Sequence, residues 1–273
     1  MKRWSDDLGK WLVIVILAVS VIFLVGPIFI SVAMSFDDRA YLGQFPPPDL
    51  SLRWYSQFFS DDYFLTGLVT SLQLAILSTL ISTAFGVLAA LALDRYTFPA
   101  KDWLSSLFLS PLIVPQVVMG FALLLFFATW QVSDGFLRLL GGHIIVTIPY
   151  TIRATLAGLI GIRRSLVEAA LALGANERQA FWDVTFPLAR TGIMAGAIFA
   201  LAFSLDDVAV SLFLADPSSY TLPIALITSM RASFDLTIAA AAVVLISLTA
   251  GLMLLLDRLV GLEKVVGQGI YRA

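Results

Sequence analysis

The sequence contains no cysteine and only one histidine. Without cysteine the chain has no disulfide framework, no thiol-ligated metal site and no cysteine nucleophile, and one histidine argues against a site with several histidine ligands. Charge is also scarce, because only 13% of the 273 residues are charged, the net charge is −2, and no basic tract occurs. The sequence therefore gives no sign of nucleic-acid binding.

Apolar residues dominate the chain. They make up 59% of the sequence, and the mean hydropathy is +0.93, which leaves too little polar surface to cover a water-soluble globule. A membrane-spanning helix needs about 20 mostly apolar residues. Runs of that kind lie near 11–34, 65–93, 104–130, 142–161, 190–215 and 236–256. The sequence predicts an all-α membrane protein with six transmembrane helices, and residues 1–273 form one transmembrane domain in this interpretation.

Two parts of the chain depart from plain spans. Pro111 and Pro115 interrupt the third run. Membrane helices tolerate proline only where neighbours satisfy the freed carbonyls, so we expect a kink that faces other helices. The alternative is a kink without functional consequence. Aromatic residues in 52–59, between the first two runs, predict a short amphipathic helix at the membrane surface.

The distribution of basic residues predicts the orientation. If the N-terminus is cytoplasmic, the inner segments contain twelve lysines and arginines and the outer segments contain four, Arg39, Arg53, Arg138 and Arg231. This asymmetry follows the positive-inside rule. Both termini are then cytoplasmic.

The longest inner segment, 162–187, is organised like a folded unit. Residues 168–173 are strong helix formers, Gly174 can supply the left-handed residue that ends a helix, and Asn176 can cap a second short helix. Pro187 suits the first turn of the helix that follows. We expect two short helices joined by a tight turn on the cytoplasmic face, which is a projection suited to docking on another protein.

The same segment carries a spaced motif. It consists of an EAA triplet, a glycine four residues later, an aliphatic residue ten positions further on, and an apolar residue followed by proline. The residues are Glu168, Ala169, Ala170, Gly174, Val184, Phe186 and Pro187. This spacing resembles the cytoplasmic motif of binding-protein-dependent ABC importer permeases, in which Ile and Leu are more usual at the positions of Val184 and Phe186.

Further stretches resemble the spermidine/putrescine-type permeases. They are Arg53-Trp54-Tyr55, Ser110-Pro111-Leu112-Ile113-Val114-Pro115, Phe203-Ser204-Leu205-Asp206-Asp207 and Thr221-Leu222-Pro223. The resemblance implies a type I importer of the bacterial inner membrane. Two permease subunits, of which the second is a different chain, would work there with two ATPase subunits and a periplasmic substrate-binding protein. The spans of this chain would contact membrane lipid.

The resemblance also assigns roles within this chain. It implies that Glu168, Ala169, Ala170, Gly174, Val184 and Pro187 couple to the ATPase, with the Gly174 loop in a groove of that subunit. The sequence has no G-x-x-x-x-G-K-[ST] phosphate loop. The chain is therefore predicted not to be an enzyme and to hold no cofactor, whereas ATP and Mg²⁺ bind the partner ATPase.

Three ionisable residues within the spans are candidates for the substrate path: Arg153, Asp206 and Asp207. Charges in spans usually face a bundle interior or an aqueous path. An acidic group in the path would favour a cationic solute, and a structural ion pair is the alternative. Adjacent helical residues point about 100° apart, so one aspartate could pair with Arg153 or cap a helix. His143 is predicted to be an interfacial polar residue rather than a proton relay.

Two other classes remain as alternatives. A stand-alone secondary transporter would need coupling-ion ligands and usually inverted repeats, and no convincing repeat is present. An intramembrane enzyme would need a nucleophile and base or a metal set. The sequence does not identify the solute among polyamines, opines, amino-acid derivatives and phosphonates.

Overall fold

A computed structural model describes residues 2–41, 43–232 and 235–260. These residues form twelve α-helices, a 3₁₀ turn at Ser110–Leu112 and a π-helical turn at Phe181–Thr185. The α-helices are α1 (Lys2–Met34), α2 (Arg53–Ser60), α3 (Asp62–Arg95), α4 (Lys101–Leu109), α5 (Gln116–Thr129), α6 (Gly135–Ile160), α7 (Arg164–Ala172), α8 (Glu177–Ala180), α9 (Phe186–Asp206), α10 (Ser211–Leu214), α11 (Leu222–Ala232) and α12 (Thr237–Val260). Within the described ranges no strand forms, so the predicted all-α fold is confirmed.

In the part of the chain that the structure describes, five helical stretches are long and apolar enough to cross a membrane. They are Gly9–Met34, Asp62–Arg95, Gly135–Ile160, Glu177–Asp206 and Thr237–Leu256. The bent pair Lys101–Leu112 and Gln116–Thr129 makes a sixth if it is counted as one span. The predicted number of spans is reached on that count.

The third run is broken rather than kinked. Its two helices meet at 106°, which is a larger change of direction than the predicted kink. Pro111 lies in the 3₁₀ turn, and Pro115 precedes α5 with φ −54° and ψ 130°. Proline has no N–H to donate and pushes the preceding residue towards extended backbone, which explains why the helix stops here.

The chain divides into two compact units, and the first comprises Met1–Leu65 with Leu226–Ile246. Its core joins Met34, Trp54, Leu236 and Ala240. The Trp54 side chain is only 3% exposed, and its indole Nε1–H donates to the Asp37 carbonyl oxygen at 2.7 Å. The amphipathic helix expected in 52–59 is therefore present as α2, but Trp54 faces protein rather than the membrane surface.

The loop after α1 in this unit contains an ion pair whose two residues are joined by several hydrogen bonds. Both carboxylate oxygens of Asp37 accept hydrogen bonds from Arg39, including one from its backbone N–H at 3.0 Å. The hydrogen bonds from the Arg39 side chain hold the pKa of the Asp37 carboxyl below its ordinary value, against the opposing effect of burial. The pair thus fixes the path of the chain between α1 and α2.

The second unit comprises Thr66–Ala225 with Ser247–Ala273. In its described part, α6 and α9 approach closely at glycines. A Cβ added to Gly192 would lie 2.8 Å from the Gly158 Cα, and one added to Gly196 would lie 2.9 Å from the Thr151 Cα. Small residues let membrane helices approach backbone to backbone. We infer that α6 and α9 form a tightly packed pair.

Candidate functional site

The turn at Gly174 ends α7 in a Schellman motif. Gly174 has φ +95°, the N–H of Ala175 donates to the Ala170 carbonyl at 3.1 Å, and the N–H of Gly174 donates to the Leu171 carbonyl at 3.0 Å. Among the described residues other than its two chain neighbours, none has an atom within 4 Å of a Cβ built on Gly174. Glycine is thus required here by backbone conformation and not by lack of space within this chain.

A capping box then begins α8. The N–H of Gln179 donates to the Asn176 side chain at 2.9 Å, and the N–H of Asn176 donates to the Gln179 side chain at 2.9 Å. The π-helical turn follows, and Pro187 occupies the first turn of α9. Because these pieces are consecutive, Glu177–Asp206 is one helical stretch of 30 residues. A displacement of α8 would therefore be carried directly into α9.

The segment around Gly174 presents an exposed surface that is partly apolar. Glu168, Ala169, Gly174 and Pro187 are exposed, whereas Ala170 and Val184 are half-buried. Leucines and a tryptophan are exposed beside them: Leu166, Leu171, Leu173 and Trp182, of which Leu173 is 89% exposed. Exposed apolar side chains of this kind are typical of protein contact surfaces.

A cleft of about 570 Å³ lies beside the same segment. Residues at the ends of α3 and α6 line it together with Glu168 and Glu177. Arg95, at the end of α3, has its guanidinium 5.9 Å from the centre of the Phe181 ring and 3.5 Å from the Thr185 hydroxyl. These contacts attach α3 to the π-helical turn, a role that sequence reasoning did not assign to Arg95.

The two aspartates at the end of α9 have different environments. Asp206 is exposed, whereas Asp207 is 4% exposed. The Asp207 carboxylate accepts hydrogen bonds from the Ser211 N–H at 2.8 Å, the Ser211 hydroxyl at 2.9 Å and the Val210 N–H at 3.4 Å. These bonds explain why α9 stops at Asp206, although the fifth run was expected to continue to 215: the carboxylate takes donors that would otherwise extend the helix.

His143 is buried rather than interfacial, so the prediction for this residue was wrong. It is 0% exposed, its Nδ1 lies 2.7 Å from the Ser204 hydroxyl, and its Nε2 lies 2.9 Å from the Ser211 hydroxyl and 3.7 Å from the Asp207 carboxylate. The Ser78 hydroxyl in turn donates to Ser204 at 3.1 Å. Burial of a histidine ring is tolerated when both of its nitrogens have hydrogen-bond partners, as they do here.

Arg153 does not join either aspartate. It is exposed on α6, and within residues 2–41, 43–232 and 235–260 no ion pair links it to Asp206 or Asp207. The expected pairing of one aspartate with Arg153 is therefore not formed, and the alternative in which one aspartate caps a helical turn is the observed one. Asp207 takes that role, which removes it from the exposed surface.

A sequence signal for the buried network did exist. His143, Thr147, Thr151 and Thr155 are each four residues apart, and all four are 0% exposed. Side chains four residues apart share one face of a helix, so this spacing marks a polar stripe inside the protein. Neither the partners Ser78 and Ser211 nor their distances could be inferred from it.

The geometry defines a class of protein. It is a helical membrane protein in which two short helices, joined at the exposed Gly174 turn, continue directly into a spanning helix. Comparison with known families is specific: residues 82–262 match the family described as "Binding-protein-dependent transport system inner membrane component". The chain belongs to this family and is a multi-pass permease subunit of an ABC importer, which confirms the expected family and does not favour a stand-alone secondary transporter.

Individual proteins are similar over most of the chain. It is 30% identical to the spermidine/putrescine transport system permease protein PotC of Shigella flexneri, over 90% of this chain and 92% of that one. It is 29% identical to the putrescine transport system permease protein PotI of Escherichia coli K12, over 80% and 79%. A chain from the crystal structure of a bacterial ABC transporter involved in alginate import shares the fold, with a TM-score of 0.73, 16% identity and coverage of 95% and 98%.

Proposed function

We propose that this chain forms half of the translocation path for a small cationic, polyamine-like solute. The names of the similar permeases support this substrate class, and the exposed carboxylate of Asp206 at the end of α9 supplies the charge that such a solute would meet. Asp206 lies about 30 Å along α9 from Phe186, at 1.5 Å per residue, and so near the opposite end of the span from the Gly174 segment. Arg153 remains a second candidate, because an exposed cation within a span needs water or an anionic partner.

The chain hydrolyses no ATP in this proposal. It pairs with a second, different permease chain, with two ATPase subunits that bind ATP and Mg²⁺, and with a periplasmic substrate-binding protein. The Gly174 segment is the contact with the ATPase, and both termini are cytoplasmic. The observation that carries the contact is the exposed apolar surface around Leu173, joined through α8 to a spanning helix.

Cross-linking from single cysteines tests the contact, because the native chain contains no cysteine. Leu173→Cys should cross-link to the ATPase in the assembled transporter. Trp130→Cys is the matched control, since Trp130 is 70% exposed at the end of α5 and should not reach the ATPase. Cross-linking of both variants to the ATPase, or of Trp130→Cys alone, would contradict the proposal.

The same two variants test the orientation. A membrane-impermeant maleimide added to intact cells should label Trp130→Cys and spare Leu173→Cys, and inverted vesicles stripped of the ATPase subunits, which would otherwise cover Leu173, should reverse this pattern. The opposite result would place the Gly174 segment outside the cytoplasm. Transport of radiolabelled spermidine and putrescine into proteoliposomes, with and without the binding protein, tests the substrate class.

A further inference from the structure

The hydrogen bonds around His143 form one directed chain. Asp207 acts there only as an acceptor, because its carboxylate receives the N–H groups of Val210 and Ser211 as well as the Ser211 hydroxyl. The Ser211 proton is therefore committed to Asp207. The Ser211 oxygen is left to accept, and its remaining neighbour is His143 Nε2 at 2.9 Å.

The donor-to-acceptor direction of these hydrogen bonds determines which ring nitrogen of His143 carries the proton. Nε2 must carry the proton that Ser211 accepts, and in a neutral ring the unprotonated Nδ1 then accepts from the Ser204 hydroxyl at 2.7 Å. Ser204 has then used its proton and accepts from Ser78 at 3.1 Å. In the neutral ring one arrangement of protons thus satisfies both nitrogens, whereas a further proton on Nδ1 would require the Ser204 hydroxyl to turn its own proton away from the ring.

The network holds the end of a helix. Asp207 has an extended backbone with ψ 124°, and its carboxylate binds N–H groups that a continuing helix would pair with backbone carbonyls. His143 reaches this turn from α6 through Ser211, and it reaches α9 itself through Ser204. The direction of Asp206, the last residue of α9, is consequently tied to the orientation of the imidazole ring.

We propose that His143 is a positioning residue that, as the neutral Nε2–H tautomer, fixes the break between α9 and α10 and so aims Asp206 at the solute. The significance of Asp206 rests on the proposed function. The tautomer and the geometry of the break do not depend on it.

The imidazole ¹⁵N spectrum tests the tautomer directly. His143 is the only histidine in the chain, so a difference between the ¹⁵N-histidine spectra of the assembled wild-type transporter and the His143→Gln variant isolates its signals, provided that the affinity tag contains no histidine. We expect one protonated and one unprotonated nitrogen, with the proton on Nε2. An imidazolium pattern, or a proton on Nδ1, would overturn the proposal.

Two half-replacements test the positioning role. Gln at 143 can keep the donor towards Ser211, whereas Asn can keep only the acceptor for Ser204. His143→Asn should therefore raise the half-saturating solute concentration or lower the transport rate by about tenfold more than His143→Gln does, since the bond that Asn loses is the one to Ser211, which reaches the break directly, whereas the bond that Gln loses is to Ser204 within α9. Equal effects, or the reverse order, at matched assembly would overturn the role. If neither variant assembles, ¹⁵N-histidine labelling of this chain alone, combined with unlabelled partner subunits, isolates the His143 signals and still decides the tautomer.

The failure of the proposed function would look different. Suppose that Asp206→Asn transports normally, while the spectrum shows the Nε2–H tautomer and His143→Gln transports better than His143→Asn. Asp206 then does not contact the solute. The network would in that case position another group at the break.

Discussion

Replacing Gly174 by valine perturbs the proposed coupling turn at one point. Gly174 has φ +95°, a conformation in which a side chain costs about 1 to 2 kcal/mol and in which a β-branched residue is an outlier. No neighbouring atom lies within 4 Å of the new Cβ. The whole effect should therefore fall on the turn and on the subunit it contacts, and not on the packing of the spans.

The strain should reduce coupling by a measurable amount. A cost of about 1 to 2 kcal/mol lowers the population of the native turn by a factor of about 5 to 30 wherever that turn is marginally stable. Gly174→Val should then lower both solute transport and the stimulation of ATPase activity by the binding protein, measured in proteoliposomes. The amount of subunit inserted into the membrane should stay near the wild-type level.

Two control variants separate the causes of a loss. Gly161→Val introduces the same side chain immediately before the segment, at a residue with φ −75°, where valine is tolerated, and should leave coupling largely intact. Gly174→Asn adds a side chain that tolerates the left-handed region and should retain more coupling than valine. Wild-type coupling in Gly174→Val would refute the reasoning, and an equal loss in Gly161→Val would show that bulk rather than conformation is responsible.

Three other perturbations address the carboxylates, the loop after α1 and the subunit composition. Asp206→Asn should reduce transport of a cationic solute without lowering the thermal stability of the complex. Asp207→Asn should instead lower the unfolding temperature, because the network of Ser211 and His143 loses an acceptor oxygen. Wild-type transport and stability in both variants would show that neither carboxylate has the role assigned to it. The lowered pKa of Asp37 contributes stability that is present above the ordinary pKa of about 3.9 and is lost as the pH falls through the lowered value. The difference in unfolding temperature between wild type and Asp37→Asn should therefore shrink below about pH 4. A difference that does not change with pH would show that the ion pair contributes nothing. Purification of the active transporter should yield a second, different permease chain, and activity from two copies of this chain alone would contradict that expectation.

The local features of the segment around Gly174 could be predicted because their causes are local. A glycine that ends a helix, an Asn176 side chain three residues before Gln179, and a proline in a first helical turn all act within one or two turns of the chain. The spans follow from hydropathy over about 20 residues. These rules need no knowledge of which helices are neighbours.

The surface helix and the third span show where such rules stop. The sequence indicated that α2 is amphipathic, but hydropathy does not distinguish a face buried against lipid from one buried against protein, and Trp54 packs on protein. Prolines indicated an interruption near Pro115 but not an angle of 106°. The angle depends on what the two halves pack against after the hydrogen bonds are lost.

Sequence alone therefore determined the membrane class, the number of spans, the two short helices joined at Gly174 and the residues that identify the family, since each depends on composition or on short-range spacing. Only the tertiary structure decided that His143 is buried, that Asp207 closes a turn while Asp206 is exposed, and that Arg153 pairs with neither. The physical reason is distance along the chain: His143 and Ser204 are 61 residues apart, and Ser78 and Ser204 are 126 apart. Hydrogen bonds over such separations form only once the packing of α3, α6 and α9 has brought their donors and acceptors together.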